Sequence, residues 1–278
     1  SIMNLTTVSS KWLSENLEDP DLIILDASEK SNVSNLKSEF PDLQIPKARY
    51  FDTKNSFTDK ENSIPNMLPS PTLFQEGCRK LGIEKKSKIV VYDNLGIYNS
   101  PRVWWMFKLM GHKSVAVLNG GLPDWIKNKY KTEPIESIEY EQGDFISHFQ
   151  PNLVKDASVI LNNIHSHNFI VLDARSSGRF HATAPEPRAD LKRGHIPDSI
   201  NLPFTEVLTD GKLIPKKELE QRLSKLELKN KPLAFTCGSG ITACIILLAL
   251  ETINNNPKSL YDGSWSEWGQ LEGVPVNQ

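Results

Sequence analysis

Cysteine is scarce in this chain: 278 residues hold three, Cys78, Cys237 and Cys244. Three thiols cannot build a disulfide framework, so a reducing compartment is expected, with the cytoplasm as the default location. Its six histidines do not group with cysteines at ligand spacing, and no metal site is expected. An excess of one charge is missing too. Thirty-two basic residues face 34 acidic ones, a formal charge of −2, with no long basic run. Nucleic-acid and anionic-membrane binding therefore have no support from composition. The longest apolar run, Ala243 to Leu250, is too short to span a bilayer. The start, Ser1-Ile2-Met3-Asn4, lacks the pattern of a signal peptide. What remains, 38% hydrophobic and 24% charged residues, is the composition of a globular protein long enough for two domains.

The chain is written twice. Leu22-Ile23-Ile24-Leu25-Asp26-Ala27-Ser28 returns 147 residues later as Phe169-Ile170-Val171-Leu172-Asp173-Ala174-Arg175. Ile89-Val90-Val91-Tyr92 returns 143 residues later as Pro232-Leu233-Ala234-Phe235, and the same offset carries Leu118–Trp125 onto Tyr261–Trp268. Two copies are expected, residues 1–135 and 153–278, joined by a polar, proline-bearing linker over 136–152. In each copy short apolar runs alternate with amphipathic stretches. The first copy reads as a helix opened by Ser70-Pro71 and running to Leu81, a strand over Lys88–Tyr92, a helix from Ser100 to Met110 stopped by Gly111, and a strand over Val115–Leu118. The second reads as a helix from Lys216 to Leu226, a strand over Leu233–Phe235, a helix from Ile241 to Glu251, and a strand over Ser259–Tyr261. This alternation predicts an α/β fold with a mostly parallel sheet in each copy and helices on both of its faces.

Ligands of such sheets bind beyond the C-terminal strand ends. Cys237 stands at such an end, on the loop Cys237-Gly238-Ser239-Gly240-Ile241-Thr242 that leads into an apolar helix. Inward-turned loop amides and the helix N-terminus both favour a thiolate there. Cys237 is read as a nucleophile on an anion-cradling loop, whereas Cys78 and Cys244 fit core packing. In the first copy Asn94 holds the place of Cys237, and Leu95-Gly96-Ile97 replaces Gly238-Ser239-Gly240, so that copy is expected to be inactive.

These residues resemble tandem rhodanese domains across essentially the whole chain: Asp-Ala after a buried strand in both copies, Gly194-His195-Ile196-Pro197 before a strand, and Asp262-Gly263-Ser264-Trp265 after the last one. The Cys237 loop is similar to that of the mercaptopyruvate-using sulfurtransferases of the family; thiosulfate-using members carry basic residues directly after the cysteine. The segment Asp173–Phe180 with Pro185-Glu186-Pro187-Arg188 is similar to the mercaptopyruvate group as well. The resemblance implies that Arg179 and Arg188 hold the carboxylate and keto oxygen of the donor, a task suited to guanidinium. It implies catalytic roles for Cys237 and Ser239, and donor contacts from Gly238, Gly240, Ile241 and Thr242. Arg175 is expected to pair within the scaffold, and His195 to serve the turn in which it sits.

The implied reaction is a ping-pong sulfur transfer through a Cys237 persulfide. The donor is 3-mercaptopyruvate or thiosulfate, and the acceptor a small thiol, thioredoxin or cyanide. Neither metal nor organic cofactor is implied, and a monomer is expected. Some members use a histidine relay in a His-Met-Leu-Pro segment; here it reads Asn66-Met67-Leu68-Pro69, and Asn66 cannot act as a base. A Cys-x5-Arg phosphatase is unlike this chain, because Ala243 stands where that arginine belongs. A thiosulfate:cyanide sulfurtransferase and a non-catalytic sulfur-carrier module remain the alternatives.

Overall fold

The computed structural model describes residues 4–278. Five strands form one sheet: β1 (Thr7–Val8), β2 (Leu22–Asp26), β3 (Arg49–Tyr50), β4 (Lys88–Tyr92) and β5 (Val115–Leu118). Five more form a second: β6 (Val154–Lys155), β7 (Ile170–Asp173), β8 (Ile200–Asn201), β9 (Leu233–Thr236) and β10 (Lys258–Tyr261). All pairs within both sheets are parallel. The first runs β1-β5-β4-β2-β3 and the second β6-β10-β9-β7-β8, so the orders superimpose strand for strand. The internal repeat read from sequence is thus a repeat of topology.

Central strands are buried along most of their length, as parallel strands covered on both faces must be. Their side chains alternate between two layers. In the first sheet Ile24, Val90, Tyr92 and Leu118 join Leu13 and Trp125 from helices Ser10–Glu15 and Gly121–Lys127. Helix Ser100–Leu109 packs against β4 and β5. In the second sheet Val171, Ala234 and Tyr261 join Ile160, Trp265 and Trp268, and helix Ala243–Glu251 packs against β9 and β10. Among the described residues no helix is long and apolar enough to cross a membrane.

Two details depart from the sequence reading. Helix Ala243–Glu251 begins two residues later than expected, with Thr242 as its N-cap. The division of the chain also differs. One compact unit takes in the chain up to Asp59 with Leu68–Gln150 and Asp210–Leu213; the other holds Lys60–Met67, Pro151–Thr209 and Ile214–Gln278. The stretch expected as the linker, 136–152, therefore belongs to the first unit up to Gln150. Phe145 is buried there, its N–H donates to the Ile83 carbonyl, and the N–H groups of His148 and Gln150 donate to Met110 and Leu109. Polar composition suggested a crossing, but one aromatic side chain and these backbone bonds hold the segment down.

Candidate active site

Strand β9 delivers Cys237 to the C-terminal edge of the second sheet. Thr236 pairs in register with Asp173 of β7, so the Cys237 loop and the turn after β7 lie side by side. The Ala174 N–H seals that junction by donating to the Thr236 carbonyl at 2.9 Å. Cys237 itself is buried. Its Sγ accepts the Gly240 N–H at 3.0 Å, so the loop does curl an amide onto the sulfur. The Cys244 thiol, on the second residue of the following helix, donates to the Gly240 carbonyl at 3.4 Å. Gly240 is thus held between the two thiols, by its N–H on one side and its C=O on the other.

The back of the loop is fastened by the turn after β10. Trp265 N–H donates to the Cys237 carbonyl at 2.9 Å, and Ser266 donates to the Gly238 carbonyl through its N–H at 2.8 Å and its hydroxyl at 2.7 Å. The Ser264 hydroxyl accepts the Cys237 N–H at 3.1 Å and the Thr236 hydroxyl at 3.2 Å, and donates to the Tyr261 carbonyl at 2.9 Å. Ser264 does this from a left-handed backbone, φ +52°, with its side chain wholly buried. Sequence reading passed over Ser264; the Asp-Gly-Ser-Trp run marked the position but not the job.

Arg179 is carried by the one-turn helix Ser177–Phe180, which Ser176 caps by accepting the Arg179 N–H. A Cβ added to Gly238 would stand 2.9 Å from Arg179 NH2 and 3.6 Å from NH1. The guanidinium therefore fills the space that a side chain next to Cys237 would occupy. Glu186 holds it from behind, at 2.8 Å from NH2. Arg175 pairs within the scaffold as expected. It bonds Asp173, Glu186 and the Gly194 carbonyl, and its guanidinium lies 4.4 Å from the Trp265 ring centroid. His195 stacks on Phe180 at 3.7 Å and bonds its carbonyl, a scaffold role.

Not every expected site residue converges on the sulfur. Arg188 pairs with Asp190 at 2.9 Å on the exposed surface. Ser239 and Ile241 are half-buried, and Thr242 is buried. The carbonyls of Ile241 and Thr242 accept the N–H groups of Cys244 and Ile245, so these residues launch the helix.

The corresponding loop of the first copy is built differently. Asp93, at the place of Thr236, accepts the N–H groups of Leu95, Tyr98 and Ser100 at 2.9–3.0 Å. Burial nonetheless pushes its carboxyl above the ordinary carboxylate range. Asn94 stands where the thiol would be, with its N–H donated to the Ser28 hydroxyl.

Comparison with known proteins bears on this arrangement. The profile of the rhodanese-like domain matches residues 9–128 and again 156–271. Thiosulfate/3-mercaptopyruvate sulfurtransferase 1, mitochondrial, of Arabidopsis thaliana is 38% identical over 293 residues, covering 97% of this chain and 77% of that protein. The 3-mercaptopyruvate sulfurtransferase of Escherichia coli K12 is 36% identical over 273 residues, covering 97% of this chain and 96% of that protein. The crystal structure of SseA from Escherichia coli, described as a 3-mercaptopyruvate sulfotransferase with the rhodanese fold, superimposes with a TM-score of 0.81 at 34% identity, over 94% of this chain and 98% of that one. Two matched copies, two sheets of one topology and relatives aligned nearly end to end converge: the chain belongs to the rhodanese family, as a tandem-domain sulfurtransferase.

Proposed function

We propose that this sulfurtransferase takes its sulfur from 3-mercaptopyruvate and carries it as a persulfide on Cys237. The observation that supports this donor is the guanidinium of Arg179 in the space left by Gly238. A basic side chain directly after the cysteine, as in thiosulfate-using members, would compete for that space. A fixed guanidinium one residue from the nucleophile suits a carboxylate.

The Cys237 thiolate attacks the thiol sulfur of the donor. The new S–S bond forms as the donor's C–S bond breaks, and the electron pair passes into the enolate of pyruvate, which takes up a proton and leaves. The outer sulfur then passes to a second nucleophile, proposed to be a small thiol or thioredoxin, with cyanide serving in assay. The Gly240 amide, already on Sγ, is placed to stabilise sulfur anions. Arg188 is proposed to swing from Asp190 to the keto oxygen, since an exposed ion pair costs only about 0–1 kcal/mol to break. Ser239 is proposed to donate to the reacting sulfur or the developing enolate oxygen. The first copy, with Asn94 for the thiol, is proposed to be inactive. Three free cysteines and a transferable persulfide suit a reducing compartment, and the cytoplasm is proposed.

Steady-state kinetics with 3-mercaptopyruvate and thiosulfate, sharing cyanide as acceptor, tests the reading. A kcat/KM larger for mercaptopyruvate by about tenfold or more supports it. A preference for thiosulfate removes the role given to Arg179, and activity with neither moves the protein to the carrier reading.

A further inference from the structure

Glu186 lies between two arginines, and its side chain is 1% exposed. Its Oε2 accepts from Arg175 NH1 at 3.3 Å. Its Oε1 accepts from Arg179 NH2 at 2.8 Å, and Arg179 Nε donates to both oxygens at 3.2–3.3 Å. A guanidinium offers two edges to carboxylates, one from Nε and a terminal nitrogen, the other from both terminal nitrogens. Glu186 occupies the first edge of Arg179. The second, NH1 with NH2, is the edge that stands over Gly238. Glu186 is itself immobilised, because Arg175 behind it is tied to Asp173, to the Gly194 carbonyl and to the face of Trp265.

The geometry points to Glu186 as a positioning residue that turns the terminal edge of Arg179 toward the residue after Cys237, where the donor's carboxylate binds. The inference rests on the donor reading above. Asp173, Arg175, Arg179 and Glu186 carry two charges of each sign, so the cluster is neutral. Glu186 therefore weakens the local positive field and contributes direction instead. Loss of that direction affects ground state and transition state alike, which raises KM and spares kcat.

The test is steady-state kinetics of the full chain with 3-mercaptopyruvate and cyanide, for Glu186→Gln, Arg179→Ala and the double variant. Glutamine keeps the shape but has one acceptor for two arginines, and KM is expected to rise about tenfold with kcat within about twofold. In the Arg179→Ala background the same change is expected to add less than about twofold. Gly238→Ala, which displaces Arg179 while leaving Glu186 in place, is expected to raise KM as well. If Glu186→Gln does not fold, Glu186→Asp keeps the charge, withdraws it from Arg179 and is expected to raise KM. Costs that multiply in the double variant overturn the positioning role, as does an unchanged KM in the Glu186 variants beside a raised KM in Arg179→Ala. An unchanged KM in Arg179→Ala overturns the donor reading and this inference with it.

Discussion

Ser264 gives the sharpest test of how the Cys237 loop is held. Its hydroxyl accepts the buried Cys237 N–H and the Thr236 hydroxyl and donates to the Tyr261 carbonyl, all from a left-handed backbone. Replacement by alanine keeps the backbone conformation and removes the acceptor. The orphaned amide alone costs about 1–3 kcal/mol. Replacement by glycine loses the same acceptor but relieves the left-handed conformation, which disfavours an L-residue by roughly 1–2 kcal/mol. Against this stands about 0.5–1 kcal/mol for the greater freedom of an unfolded glycine. Ser264→Gly is therefore expected to be less stable than wild type yet more stable than Ser264→Ala by about 0.5–1 kcal/mol. Urea unfolding measures both differences, and single-turnover persulfide formation reports the loop, where both variants should be slowed. Alanine within about 0.5 kcal/mol of wild type would show that the hydroxyl does not hold the loop. Glycine below alanine would refute the strain argument.

Two further outcomes are expected. Cys237→Ser should abolish transfer with either donor while leaving the unfolding free energy within about 1 kcal/mol of wild type, since the serine oxygen can accept the Gly240 N–H in place of sulfur; retained turnover would sink the persulfide mechanism. Asp93 supplies the pH test: burial raises its carboxyl in the folded protein, so the folded state holds a proton that the unfolded state releases above about pH 4. As pH rises through that window, wild type should lose stability relative to Asp93→Asn and then level off. Asp26, raised chiefly by burial and further by the charge of Asp93, is lowered in the variant and reinforces this sign. A difference in urea midpoints that stays flat, or grows in wild type's favour with pH, contradicts the assignment.

The architecture was legible because it rests on local pattern. The strand over Lys88–Tyr92 and that over Val115–Leu118 fall where the apolar runs put them, and the helix opened by Ser70-Pro71 begins with the Ser70 hydroxyl accepting the Leu73 N–H. The place of Cys237, on a small-residue loop between strand and helix, was legible for the same reason. What escaped is long-range. Nothing local tells that Glu186 meets Arg179 through its Nε edge, that Ser264 reaches back 27 residues to the Cys237 amide, or that Asp210–Leu213 belongs to the first unit. There the Lys212 ammonium meets Asp124 at 3.3 Å and the Leu213 N–H donates to Asn119, pairings that depend on which surfaces folding brings together.

The two copies differ in what their inward loop amides meet. Each loop leaves the equivalent central strand of its own sheet and turns amides inward, and an inward amide needs an acceptor. In the first copy Asp93 supplies one internally, and three N–H groups close on its carboxylate. In the second copy Thr236 stands at that position with its hydroxyl turned to Ser264, and the Gly240 amide falls instead on the Cys237 sulfur. A carboxylate fixed in the cradle leaves its amides nothing to gain from an incoming anion. The same backbone geometry thus closes on a buried carboxyl in one copy and on a thiol in the other, where Thr236 and Cys237 stand in place of Asp93 and Asn94.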